Sequence, residues 1–213
     1  MKWIVPNVTL LSHTPEPEIL IEKAGRTCYR SEPSGDGSHI PFINMIINRG
    51  HESVLEHASA TFRIITDRGT SHQIVRHRLA SYSQESTRYC NYTKDKFDNQ
   101  ICCVIPREVV NSNTIEDYYK QLQCLENSIK IAEETYFKLI SGGVKPEVAR
   151  SILPTCLKTE IVMTANFREW RHFLKERMSP AAQSDIREIV QAIYVELVNI
   201  APTVFGEFDS ILK

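Results

Sequence analysis

The stretch from Thr114 to Ser141 constrains this chain most. Tyr118, Leu122, Leu125, Ile129, Ala132, Tyr136 and Leu139 recur at three- and four-residue steps, the spacing of one apolar stripe along an α-helix. Gly142-Gly143 ends the run. A helix of about eight turns excludes an all-β fold. Its stripe needs a long partner surface, either a core within the chain or an assembly interface between chains.

Other segments add strands. The opening to about Leu11 and the alternating runs Ala58–Thr66 and Leu157–Ala165 read as strands, and Tyr89–Tyr92 and Ile101–Ile105 are further candidates around a polar turn at Lys94–Gln100. Helical spacing marks Pro15–Tyr29, with Ile19, Leu20, Ala24 and Cys28. Phe42–Asn48 reads as a short helix stopped by Arg49-Gly50, after a loop of turn formers from Ser31 to His39. Lys145–Ser151 is a short helix, and Asn166 with Glu169 forms a capping box for a helix reaching Arg177. Pro180–Ile200 is amphipathic, and Thr203–Leu212 closes the chain. The expected fold is α/β, a single domain over residues 1–213 with a sheet flanked by long helices. It lacks the regular alternation of a Rossmann fold, and no GxGxxG turn is present.

At 213 residues the chain can bury a sizeable core. A net charge of −1 argues against bulk nucleic-acid affinity, so any basic motif is a local site. No apolar run approaches the roughly 20 residues of a membrane span. The start, MKWIVPNVTLL, lacks a signal-peptide pattern, so a cytoplasmic protein is expected. The six cysteines include no CxxC pair and read as buried reduced thiols. His51 and His57 are six apart and do not share a helix face as an HExxH pair would, so no metal is expected.

The segment RHRLASYSQESTRY, Arg76 to Tyr89, carries the chemistry. Arginines beside hydroxyl and amide groups suit a phosphorylated, hydrogen-bond-rich ligand. A solvated cationic helix end is the plain alternative. With Thr70 capping a helix to about Leu79, Arg76, His77 and Arg78 would point in three directions, and Gln73 would sit one turn below.

Arg-His-Arg, seven residues, then Ser86 resembles the signature of flavin-dependent thymidylate synthases. Three further elements follow the same family in the same order. They are His51-Glu52-Ser53-Val54-Leu55-Glu56-His57, Arg150-Ser151-Ile152-Leu153-Pro154, and Asn166-Phe167-Arg168 through His172 to Arg177. The resemblance implies reductive methylation of dUMP to dTMP, with 5,10-methylenetetrahydrofolate as carbon donor and tetrahydrofolate released. It also implies FAD reduced by NADPH as hydride source, and a homotetramer whose active sites form between subunits.

By the same resemblance, Arg76, His77 and Arg78 would contact FAD, Ser53 an FAD phosphate, and Asn166, Phe167, Arg168 and His172 the flavin from another subunit. Gln73, Glu85, Ser86, Thr87 and Arg88 would hold dUMP, with Arg150 on its phosphate. Arg76 and Gln84 would serve both ligands. Arg177 would sit against the uracil and stabilise its N3-deprotonated form, since a fixed cation favours negative charge on the ring.

Three positions depart from one common family pattern. Gln84 stands where some members carry glutamate, His172 where some carry asparagine, and MSPAAQSDIR after Arg177 lacks a histidine often found there. No cysteine lies in a matched nucleotide-binding element, and Cys90 is the nearest. Ser86 has no identifiable partner base and is assigned to binding. Two other classes stay open: a nucleotide- or RNA-binding module without redox chemistry, and a flavoprotein of another reaction class, such as an oxidase or a folate-dependent RNA methylase.

Overall fold

The computed structural model describes residues 1–211. The strands are β1 (Lys2–Ile4), β2 (Asn7–His13), β3 (Ser59–Asp67), β4 (Ala80–Gln84), β5 (Cys102–Val104) and β6 (Lys158–Asn166). The helices are α1 (Pro17–Tyr29), α2 (His39–Asn48), α3 (Arg68–Ile74), α4 (Arg107–Val110), α5 (Ile115–Ser141), α6 (Pro146–Ala149), α7 (Phe167–Arg177), α8 (Ser184–Ile200) and α9 (Pro202–Phe205). Four strands form one sheet in the order β2-β3-β6-β4, and β1 pairs in parallel with β5. The α/β architecture with a sheet and long helices is as expected. The closing segment forms α9 and a 3-10 turn, Gly206–Ile211, and Leu212 lies outside the described residues.

The chain packs as two compact units. The first takes residues 1–7, 65–74 and 83–161, and the second takes residues 8–64, 75–82 and 162 onward. In the first, Ile129 and Tyr136 of α5 are buried with Tyr92, Ile101, Cys103, Ala149 and Leu157. Glu133 on the same helix anchors the chain start, accepting from the Met1 amino group at 2.8 Å and from the Ile101 N–H at 2.9 Å. Thr114 caps α5 by accepting from the Asp117 N–H, and Gly143 follows its end with φ +85°, a conformation that favours glycine.

The second unit owes its core to alternation on β3 and β6. Ala60, Phe62, Ile64, Met163 and Ala165 are buried. Within the second unit, Phe62 meets Trp170 edge-on at 5.1 Å, Trp170 meets Phe173 at 5.5 Å, and Phe167 meets Phe205 at 5.0 Å. The Trp170 indole N–H donates to the Ala60 carbonyl at 3.1 Å. This contact removes the usual cost of burying an indole. Glu18 of α1 accepts from the Thr203 and Val204 N–H groups, capping the short α9 with a buried carboxylate. Gly25 of α1 sits where a Cβ would come 2.6 Å from the Phe42 ring of α2, so only glycine allows that approach.

Several expectations change. Val5 and Pro6 form a break that divides the first strand into β1 and β2. The helix before the basic motif starts at Arg68, because Asp67 accepts from the Thr70 N–H at 2.8 Å and from its hydroxyl at 2.6 Å; it ends at Ile74. Tyr89–Tyr92 forms turns, while the strand is β4 inside the motif. The last long helix begins at Ser184 rather than Pro180. All six cysteines are free, but only Cys103 is buried, and Cys28 and Cys124 are exposed.

Candidate active site

The basic motif leaves α3 as a turn and an extended run, so its side chains alternate instead of radiating from a helix end. Arg76 and Arg78 are exposed, and His77 between them is 5% exposed. Among the described residues neither Arg76 nor Arg78 makes an ion pair. Tyr82 donates its hydroxyl to the His77 carbonyl at 2.5 Å, which holds the run in place.

A cavity of about 920 Å³ opens on these residues in the second unit. Arg76, His77, Arg78 and Leu79 line it together with Asn166, Arg168, Glu169, Arg171, His172 and Lys175 from the β6–α7 junction. Asn166 caps α7, its Oδ1 accepting from the Glu169 N–H at 2.9 Å. The helix therefore presents its positive end to the cavity, where anions are favoured. Arg168 pairs with Glu56 at 2.6 Å, and Arg171 is buried between Glu52 and Glu207.

His77 is the centre of this group. Its Nε2 accepts from Arg177 Nε at 3.1 Å, and its ring meets Phe173 edge-on at 4.7 Å and His172 at 5.4 Å. Burial, then the Arg177 charge, then His172, lower its pKa from 6.5 to about 4. It is neutral at pH 7. Its Nδ1 is buried without a well-formed hydrogen bond, 3.3 Å from Glu169 Oε1. Burial raises the Glu169 pKa, and the neighbouring His172 opposes that rise.

Ligand atoms of His77, Glu169 and His172 lie within 4.8 Å of one another. Arg177 on His77 and the cationic lining make another positive charge costly here, and the site suits an anion instead. Donors, the exposed cations Arg76 and Arg78 and a helix N-terminus fit the phosphates and polar edge of a flavin nucleotide.

Two residues expected at this ligand lie elsewhere. Ser53 is exposed on the 3-10 turn Glu52–His57 and does not line the cavity, whereas Glu52 and Glu56 do. Phe167 is fully buried against Phe205, leaving the core role to its ring. Arg171 and Lys175 were not singled out from the sequence. Arg168, Arg171, His172 and Lys175 share one face at i, i+3, i+4 and i+7, a signal that could have found them.

Apart from Arg76 and Arg177, the residues expected at the nucleotide lie in the first unit. Arg88 Nε meets Glu147 at 2.8 Å, and Arg150 Nη1 donates to the buried Thr87 hydroxyl at 3.2 Å. Ser86 Oγ accepts from the Arg88 N–H at 3.3 Å. Gln84 Nε2 donates to Ser71 Oγ at 2.9 Å and Thr159 Oγ1 at 3.0 Å, using its donor side as the amide chemistry allows. Gln73 lies on α3, half-buried. Glu85 turns away into a separate pocket of about 330 Å³, pairing with Lys158 at 2.6 Å and accepting from the Tyr92 hydroxyl at 3.2 Å.

Comparison with known proteins places this arrangement. Residues 9–203 match the family model described as thymidylate synthase complementing protein. The chain belongs to that family. A flavin-dependent thymidylate synthase of Geobacter sulfurreducens is 38% identical over 94% of this chain and 85% of its own length. One from Clostridium tetani is 34% identical, covering 93% of this chain and 84% of that protein. The fold resembles a UMP/dUMP methylase, PolB of Streptomyces cacaoi, solved with 5-Br dUMP. The TM-score is 0.84, covering 99% of this chain and 97% of that one, at 21% identity. That structural likeness bears on the fold. Among the described residues no helix is long and apolar enough to cross a membrane.

Proposed function

We propose that this chain is a flavin-dependent thymidylate synthase. It methylates dUMP to dTMP with 5,10-methylenetetrahydrofolate as carbon donor, and it acts as a single catalytic domain over residues 1–213 in a cytoplasmic homotetramer. The observation that carries the reading is the cavity where Arg76, Arg78, His77 and the N-terminus of α7 converge, in a chain that belongs to this family.

FAD reduced by NADPH would supply the hydride that completes the methyl group. Arg76, Arg78 and Arg168 hold its phosphates, with Ser53 reaching a phosphate in the assembled tetramer. Asn166 and His172, in the same cavity as Arg76 and Arg78, would orient it, with Gln84 reaching it from a neighbouring subunit. The dUMP phosphate is held by Arg88 and Arg150, and Gln73, Gln84, Ser86 and Thr87 supply the polar contacts to the rest of the nucleotide, with Arg76 at both ligands. Arg177 lies against the uracil, where its permanent charge lowers the cost of removing the N3 proton and activates C5 as a nucleophile. His77 Nε2 steadies that guanidinium at 3.1 Å.

The experiment is purification under mild conditions followed by absorbance and FAD titration. The expected result is a yellow protein, or a colourless one that takes up FAD and is reduced by NADPH. A folded protein that cannot be reconstituted with FAD contradicts the reading. A steep salt dependence of RNA binding in place of flavin uptake would support a nucleic-acid module instead.

A further inference from the structure

We propose that Glu169 is a positioning residue that selects the His77 tautomer able to hold Arg177. The inference rests on the proposed catalytic role of Arg177. Its starting point is a donor count. A guanidinium donates and never accepts, so Arg177 Nε at 3.1 Å requires a bare lone pair on His77 Nε2. His77 is neutral near pH 7 because burial and Arg177 itself depress its basicity. Its single proton is therefore on Nδ1. Nδ1 lies 3.3 Å from Glu169 Oε1, a carboxylate oxygen that accepts, although the pair is not aligned as a full hydrogen bond.

The opposite tautomer fails twice. It would set an Nε2–H against the Arg177 N–H and leave the Nδ1 lone pair facing a carboxylate. Both side chains are about 95% buried, at 5% exposure each, so water does not relieve either conflict. Glu169 is itself fixed. It occupies the first turn of α7, with its backbone N–H held by the Asn166 cap at 2.9 Å. An ordinary capping box would return that carboxylate to the helix start, but here it is aimed at the imidazole. The chain Asn166, Glu169, His77, Arg177 thus runs from the α7 N-cap to the cation at the other end of the same helix, through the histidine of the basic motif.

The test is long-range ¹H–¹⁵N correlation on histidine-labelled protein with its flavin bound, with the His77 signals assigned by their loss in His77→Gln. The expected wild-type spectrum shows protonated Nδ1 and bare Nε2. Glu169→Gln keeps that pattern, because its amide oxygen still accepts from Nδ1–H, whereas Glu169→Ala shifts it towards a mixture. In kinetics, Glu169→Ala should lower turnover at saturating dUMP about tenfold or more, with a KM change for dUMP under about threefold, and Glu169→Gln should recover most of the loss. A wild-type His77 that carries its proton on Nε2, or on both nitrogens, overturns the proposal without any variant. So does a Glu169→Ala protein that is folded, binds FAD and keeps the wild-type tautomer. If the tautomers behave as expected but wild type makes no dTMP, the relay stands and the reading of the reaction fails.

Discussion

Arg88 Nε donates to Glu147 Oε2 at 2.8 Å in an ion pair whose side chains are 57% and 36% exposed. Exposed pairs of this kind contribute about 0–1 kcal/mol, so a dianionic phosphate can displace Glu147 at small cost. Arg88→Ala should therefore raise the apparent dUMP requirement about tenfold or more while leaving saturated turnover close to wild type. Glu147→Gln should leave stability within about 1 kcal/mol and tighten dUMP binding modestly. Steady-state kinetics and denaturant titration measure both. An Arg88→Ala enzyme with lowered saturated turnover and an unchanged dUMP requirement would contradict the binding role.

Arg177 should behave differently. Its cation acts on charge that develops during reaction, so Arg177→Ala should lower turnover at saturating dUMP by about a hundredfold or more. A variant with only a raised dUMP requirement would remove the activation role.

Cys90 carries no nucleophilic duty in this account. Its thiol pKa is pushed up by burial and by the Glu85 charge, which disfavours the thiolate that attack requires. Cys90→Ala should retain most activity, since the change is only a small loss of packing. A loss of several orders of magnitude in a folded, FAD-bound variant would restore the thiol to the mechanism.

His77 makes stability depend on pH in a defined direction. Its pKa is about 4 when folded against 6.5 for the free side chain, so between these values the unfolded chain binds the extra proton. The folded state's advantage is full above that unfolded value and falls as pH drops towards the folded one, by about 3 kcal/mol in the flavin-free protein. Urea unfolding across that range should show the gap between wild type and His77→Gln shrinking with acidity. A constant gap would mean that His77 is not held neutral by its surroundings.

Assembly is testable by mixing. In the proposed tetramer a site joins the cavity of one subunit, with Arg78, to the nucleotide residues of another, with Arg150, so Arg78→Ala and Arg150→Ala should each be nearly inactive at limiting dUMP. Exchanged into mixed oligomers, they should regain partial activity. On α5, Ile115 and Tyr119, one turn apart, are 71% and 62% exposed and offer apolar surface for assembly. Mixed oligomers of verified mass without recovery would indicate sites built within one chain.

Long periodic elements were legible in the sequence. The α5 stripe, the alternation of β3 and β6, and the Asn166 and Thr114 caps all have strong local causes. The basic motif was harder to read. Asp67 is a stronger cap than Thr70 and starts α3 early, and β4 ends the sheet order with the small polar run ASYSQ, which carries no apolar alternation. The placement of Glu85 away from Ser86 and Arg88, and the meeting of Glu169 with His77, join residues 73 and 92 positions apart respectively. Such long-range pairings leave no local pattern. Family resemblance singled out Arg76, His77, Arg78, Asn166, Arg168 and His172, which line the cavity, and helix spacing could have added Arg171 and Lys175.

A single anaerobic sequence decides whether this protein makes dTMP. The purified protein is loaded with FAD, reduced with NADPH, then given dUMP and 5,10-methylenetetrahydrofolate, with dTMP measured. NADPH should bleach the flavin, and dTMP should form only when both remaining substrates are present, with tetrahydrofolate released. A reduced flavoprotein that binds dUMP and the folate yet yields no dTMP would contradict the proposed reaction.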